Sequence, residues 1–358
     1  MPTFPFYIGS FSVPSPWAGA PNAHGVGICR AELEIGSGEI IFGAKVRQIN
    51  PSFLVRNGEA GLLWTVTEPE YGGEVVCYRE GAGGALALVG QLSSGADAPC
   101  HLAIDWRRRL GFVAHYHGGR VATLSLADDG GPRQSLALTA PPAMARGEDR
   151  SGARAHPHAS LPLADGEFLV TDTGRDLVLL YKLSGEPSTS GVELLDALPL
   201  PEGSGPRHMA HRTGAGVVFV SNQNSGGVSI IARIMTGNGP RLEFRGVAPA
   251  PGLGRARPVP SEIAVHPISD CVYLANRMDN SLSVFSIESE SGELAARGCI
   301  DVMGRNPRHF GISPDGRFLI AANQDSDDLA IFRIGEGGRD VAWTGRRFDV
   351  ASPSAICF

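Results

Sequence analysis

A proline-marked unit recurs seven times along the chain, and this periodicity restricts the fold more than any other feature. Aligned on the proline, the copies read NPSFL (50–54), APCHL (98–102), HPHAS (156–160), GPRHM (205–209), VPSEI (259–263), NPRHF (306–310) and SPSAI (352–356). The prolines are Pro51, Pro99, Pro157, Pro206, Pro260, Pro307 and Pro353, 46 to 58 residues apart. After most of them come a turn, an apolar run, a second turn and another apolar run. ISPDGRFLIAANQDSDDLAIFRI (312–334) shows the layout, with Pro314-Asp315-Gly316 as the first turn and RFLIAAN as a strand. A four-stranded unit of this length is the signature of a propeller blade. One blade cannot bury both of its apolar faces alone, so the copies must stack in a ring.

The two ends of the chain predict how that ring closes. The N-terminal FYIGSF reads as a second strand, followed by GVGICRAEL and EIIFGAKV as third and fourth strands, with no first strand before it. The C-terminal SPSAICF reads as a first strand with no successor. Pairing the two ends completes an all-β, seven-bladed propeller, with residues 1–358 forming one domain. Neither WD dipeptides nor kelch glycine pairs are present.

Composition agrees. The chain has 358 residues, 47 glycines and 26 prolines, and only 19% of its residues are charged, which favours many turns over long helices. The net charge is −6 and no basic run carries interleaved aromatics, so nucleic-acid binding is not expected. No apolar run reaches membrane length, and MPTFPFYIGSF lacks the pattern of an export signal. The six cysteines form no CxxC pair and read as reduced core thiols, so a cytoplasmic location is expected. Lys45 and Lys182 are the only lysines, leaving 29 of the 31 basic residues as arginine, whose planar fork suits carboxylate and phosphate.

In a ring of blades, the first strand of each lies nearest the axis, so the residues after the repeat prolines cluster at the channel. Those residues include His158, Arg207 and Arg308, and one position further on His101, His208, Glu262 and His309. A purely structural ring needs no such collection of charge. Metal chemistry is not indicated. HYH (115–117) and HPH (156–158) put two histidines on one strand face, but there is no HExxH and no acidic calcium loop. A GxSxG nucleophile elbow is also absent, and GLGRAR (252–257) lacks the context of a dinucleotide site. No cofactor is expected. The segment 128–155 lengthens one interval and reads as an outer strand followed by a surface loop or a lid leading towards His158.

From YIGSF (7–11) to SPSAICF, the ordered motifs NPSFL, GADAPCHLAID, HPHAS, GPRHM, PSEIAVHP…VYLANR and NPRHFGISPDGRFLIAANQ resemble the seven-bladed propeller lactonases. That family includes bacterial 6-phosphogluconolactonases and fungal carboxymuconate-lactonising enzymes. The resemblance implies a site made of a histidine, two arginines and a glutamate. His158 matches the histidine, Arg207 in GPRH the first arginine, and Arg277 in LANR the second. The glutamate's position, sixteen residues after the first arginine, holds Gln223 in SNQNS, so either another residue supplies the carboxylate base, Glu262 being the candidate, or the activity differs from the family's or is lost.

Opening a lactone needs an activated water, a stabilised oxyanion and recognition of the substrate's charge. His158 is assigned as base or orienter, and Arg207 and Arg277 as contacts to the anionic group and the oxyanion. Gln223, Asn276, Arg308, His309 and His101 complete the candidate substrate-binding set. The expected activity is hydrolysis of an anionic sugar lactone of the 6-phosphogluconolactone type. A muconate-type cycloisomerase and a non-catalytic propeller that binds an anion stay open as alternatives, as does the oligomeric state.

Overall fold

The computed structural model describes residues 2–358 apart from 147, 185–190, 212–215 and 289–291. Its strands form seven four-stranded antiparallel sheets and one small hairpin, Met144–Ala145 with Glu148–Asp149. Each sheet after the first runs in simple chain order from its proline-marked strand outward. The first blade is composite. The C-terminal strand Pro353–Cys357 pairs with Thr3–Ser10, with Tyr7 opposite Cys357, Ile8 opposite Ile356 and Gly9 opposite Ala355. Gly27–Glu34 and Ile40–Arg47 then complete that sheet, so the two ends of the chain close the ring as their sequences predict.

Strand burial follows distance from the axis. The second strands Leu110–His115, Glu167–Asp172, Val217–Asn222, Cys271–Asn276 and Phe318–Asn323 are buried at every residue. They are covered on both faces by neighbouring blades, which is why they read as continuous apolar runs. The outermost strands, such as Leu86–Ser93 and Val341–Asp349, alternate with solvent. The core is therefore a set of seams between blades. Leu62, Trp64, Val75 and Cys77 of the second blade pack on Leu102, Val113 and Leu124 of the third. The closing seam sets Phe6, Ile8 and Leu33 of the first blade against Phe318, Ile320 and Ile331 of the seventh, with Ile356 among them.

Two local devices aim side chains at the channel. The residue before the proline turns the chain through left-handed backbone at Asn50 (φ 40°), Gly205 (φ 61°) and Asn306 (φ 56°), residue types that tolerate that region. Its carbonyl accepts the N–H of a residue just beyond the second strand: Glu68 on Asn50, Tyr116 on Ala98, Gln223 on Gly205, Arg277 on Val259 and Gln324 on Asn306, all at 2.7–3.0 Å. Just after the proline the register slips, as between Pro157 and Ala159, Pro206 and Met209, and Pro307 and His309. Such bulges break the strict alternation of a strand and re-aim the bulged side chains.

Candidate active site

The two devices build two sets of side chains around one cavity of about 140 Å³. Cys100, His158, Arg207 and Arg308 come from the positions after the repeat prolines. Glu68, Tyr116, Gln223 and Arg277 come from the positions after the second strands. Trp17, Ala18 and Gly19, from a short 3-10 turn of the first blade, cover the opening. Each of the seven blades thus contributes at least one lining residue, and the site exists only when the ring is closed.

Arg207 is held by two side chains. One guanidinium nitrogen donates to Gln223 Oε1 at 3.0 Å and also faces His158 Nε2. A guanidinium can only donate, so His158 Nε2 accepts and its ring proton sits on Nδ1, which lies 3.9 Å from the Cys100 sulfur. Burial, and then the adjacent Arg207, hold the His158 pKa well below the usual imidazole range. His158 is therefore a neutral ring that orients Arg207. Arg308 donates to the Ala18 carbonyl at 2.7 Å and lies over the Phe11 ring, 4.7 Å from its centroid. Gln324 Nε2 donates to the Gly19 carbonyl at 2.7 Å, so the seventh blade clamps the covering turn from beneath.

Three guanidinium groups face a cavity that offers one carboxylate, Glu68. Burial, followed by Arg308, lowers the Arg207 pKa to about 10, and burial with Arg207 and Arg308 lowers that of Arg277. The Nε atoms of Arg207 and Arg277 are buried without a hydrogen-bond partner. Positive charge in excess, with donors left over, is the electrostatic profile of an anion site.

A second layer lies below the cavity. Glu262 Oε2 accepts from His208 Nδ1 at 2.8 Å and from His309 Nε2 at 3.0 Å. His309 Nδ1 accepts the Ile356 N–H at 3.3 Å, which places its proton on Nε2, towards Glu262. Burial alone would raise the Glu262 pKa, but His309 and His208 hold it well below the usual carboxylate range. The His101 ring packs at a tilt against Phe53 with centroids 4.1 Å apart and meets His208 at 5.3 Å. Among the described residues, no group of three or more His, Cys, Asp or Glu side chains is arranged to hold a metal ion.

Replacing Glu262 by glutamine is expected to cost about 3 kcal/mol, because removing one partner of a buried charged cluster strands the others. Its folded pKa is depressed, so the carboxylate stabilises the fold fully above the unfolded value of about 4.3. That contribution fades as the pH falls further. Urea unfolding of both proteins should show the largest gap at pH 7 and a narrowing one below pH ~4.3. A gap constant down to pH ~3 would contradict the assignment.

The sequence-predicted residues thus separate. His158, Arg207, Arg277, Gln223 and Arg308 meet at the cavity, while Glu262, His309 and His101 sit one layer below it. Glu262, already engaged by two imidazoles, is not placed to serve a water in the cavity. Asn276 is corrected outright. It is the last residue of its strand, and its Nδ2 donates to Ser281 and Ser283 inside the blade at 3.1 and 2.8 Å. Asn222 is turned inward in the same way, to Ser229. Successive strand residues point to opposite sides, so one step along the chain separates a blade-filling asparagine from a cavity residue.

Sequence reasoning overlooked Glu68 and the covering turn. Glu68 was legible by positional equivalence, since it lies just beyond the second strand of its repeat as Gln223 and Gln324 do in theirs. The covering turn was legible as an insertion, because sixteen residues (11–26) separate strands that only four (324–327) separate in the seventh blade. No described residue of the 128–155 segment lines the cavity. It carries the outer strand Pro132–Thr139, and Arg175 ties its later part down by donating to the Ala153 and Pro141 carbonyls at 2.9 Å.

The likeness to known proteins runs the length of the chain. The 6-phosphogluconolactonase of Bacillus subtilis is 28% identical over 295 residues, 81% of this chain and 82% of that protein. The 6-phosphogluconolactonase of Formosa agariphila is 27% identical over 338 residues, 91% of each. Among solved structures, the periplasmic gluconolactonase of Pseudomonas aeruginosa superposes with a TM-score of 0.87, covering 99% of this chain and 98% of that one, at 24% identity, a likeness of fold. The family model for the lactonase, seven-bladed β-propeller, matches residues 6–358, and the chain belongs to that family.

Proposed function

We propose that this protein hydrolyses a sugar lactone bearing an anionic group, as 6-phosphogluconolactone does. The observation that carries this reading is the convergence of Arg207, Arg277 and Arg308 on one small cavity with two guanidinium Nε atoms unused. Arg207, fixed by His158 and Gln223, is suited to meet the oxyanion that develops on the lactone carbonyl, since a donor held in place needs no reorganisation during the reaction. Arg277, whose Nε has no partner, and Arg308 are suited to hold the phosphate or carboxylate of the substrate. The six cysteines stand unpaired, which supports a cytoplasmic setting, as disulfides persist in oxidising compartments.

The test is steady-state hydrolysis of freshly prepared 6-phosphogluconolactone, corrected for spontaneous ring opening. The wild type should exceed background clearly. His158→Ala should lower kcat/KM about 100-fold, because Arg207 loses the contact that orients it. A wild type that runs at background overturns the reading, and turnover of a muconate-type acid instead would move it to cycloisomerisation.

A further inference from the structure

The only carboxylate among the cavity-lining residues belongs to Glu68, which is not part of the histidine, two-arginine and glutamate set implied by resemblance. Glu68 is 3% exposed, and its Oε2 is buried without a hydrogen-bond partner. A buried carboxylate oxygen left unpaired is costly, and it is retained where a reacting group or water supplies the missing partner. Its backbone is pinned on both sides. The N–H donates to the Asn50 carbonyl at 3.0 Å, and the carbonyl accepts from Asn50 Nδ2 at 3.3 Å. Asn50 Oδ1 in turn accepts the N–H groups of Ser12 and Val13, at 2.8 and 3.0 Å, at the root of the covering segment. The backbone that carries the carboxylate is therefore fixed before any substrate arrives.

The other candidate bases are occupied. Gln223 cannot accept a proton, and its Oε1 is bound by Arg207. The repeat shows this glutamine to be a positional habit, because Arg308 contacts Gln324 Oε1 at 3.4 Å across the same sixteen-residue interval. The ring nitrogens of His158 face Arg207 and Cys100, and Glu262 lies in the layer below.

We propose that Glu68 is the general base of the hydrolysis, taking the proton of the attacking water. This rests on the lactone-hydrolase reading. A water O–H gives its proton to the Glu68 carboxylate as its oxygen bonds the lactone carbonyl carbon, and the carbonyl oxygen becomes an oxyanion facing Arg207. The carbonyl then re-forms, the ring C–O bond breaks, and the leaving alkoxide takes the proton back from Glu68. The product is a hydroxy acid that ionises to its carboxylate and releases one proton to solvent. Burial raises the Glu68 pKa against the pull of Arg308, the direction that makes a carboxylate a better proton acceptor near neutrality.

The experiment compares wild type, Glu68→Gln and Glu68→Asp in kcat and KM for 6-phosphogluconolactone across acidic to neutral pH. Calorimetric binding of the product, 6-phosphogluconate, serves as the control for fold and site. Glu68→Gln should bind the product like the wild type, lose about 1,000-fold in kcat, and lose the wild type's fall in kcat towards acid pH. Glu68→Asp should show an acidic limb at a reduced rate, displaced in pH because the new carboxyl titrates at its own pKa. A glutamine variant within about fivefold of wild-type kcat, or one with the wild type's acidic limb intact, overturns the role of Glu68 alone. If the glutamine variant no longer binds product, Glu68→Asp decides, and an acidic limb unmoved by that change overturns the proposal. A wild type that binds 6-phosphogluconate yet hydrolyses nothing overturns the hydrolase reading, and the base with it.

Discussion

Arg207→Ala is expected to lower kcat/KM for lactone hydrolysis by about 1,000-fold while leaving the propeller folded. The guanidinium holds three relations at once: it donates to Gln223, faces His158 Nε2, and keeps a buried Nε without a partner. In such a setting a pre-placed donor to a developing oxyanion is worth about 3–4 kcal/mol. Truncation leaves Arg277 and Arg308 to bind the anionic group, so kcat should fall more than KM rises. Arg207→Lys should recover little, since a single ammonium cannot reach Gln223, His158 and an oxyanion together. Steady-state kinetics beside thermal unfolding checks this. A folded alanine variant within about tenfold of wild-type kcat/KM would remove Arg207 from the transition state.

Removing residues 353–358 is expected to abolish cooperative folding. The lost strand supplies the innermost position of the first blade. Ile356 is buried in the closing seam, Ala355 packs with Tyr7, Leu54 and Leu63, and the Phe358 ring lies 5.1 Å from Phe6. Emptying the Ile356 position alone would cost about 2–5 kcal/mol. Deleting the whole strand also strips Thr3–Ser10 of its partner and leaves an unpaired apolar edge open to other chains. Together these losses approach the total stability of an ordinary domain, about 5–15 kcal/mol. The truncated chain should be found in aggregates or show no cooperative melting. A soluble truncation melting within about 3 °C of the full chain would show that the ring does not depend on this closure.

The fold was legible because its signals are local and repeated. Each proline, turn and apolar run specifies its own strand, and seven copies reinforce one reading, while the incomplete repeats at the two ends identify each other. Part of the site was legible for the same reason, since position after a repeat proline selects Cys100, His158, Arg207 and Arg308 together. The failures were also positional. Asn276 and Arg277 are adjacent in the chain yet serve opposite sides of the strand, and Glu68 carries no neighbouring motif that distinguishes it from a surface glutamate.

By itself the sequence determined the number of blades, the order of strands within them and the composite first blade, because these depend on spacing and apolar period along one chain. Only the tertiary structure decided which charges meet. Glu68, His158, Arg207, Arg277 and Arg308 come from five different blades, and their separation in space depends on how the ring closes. The closed ring also sets Glu262 between two histidines beneath the cavity and leaves the Glu68 carboxylate in it, because burial and partnership are properties of packed neighbours.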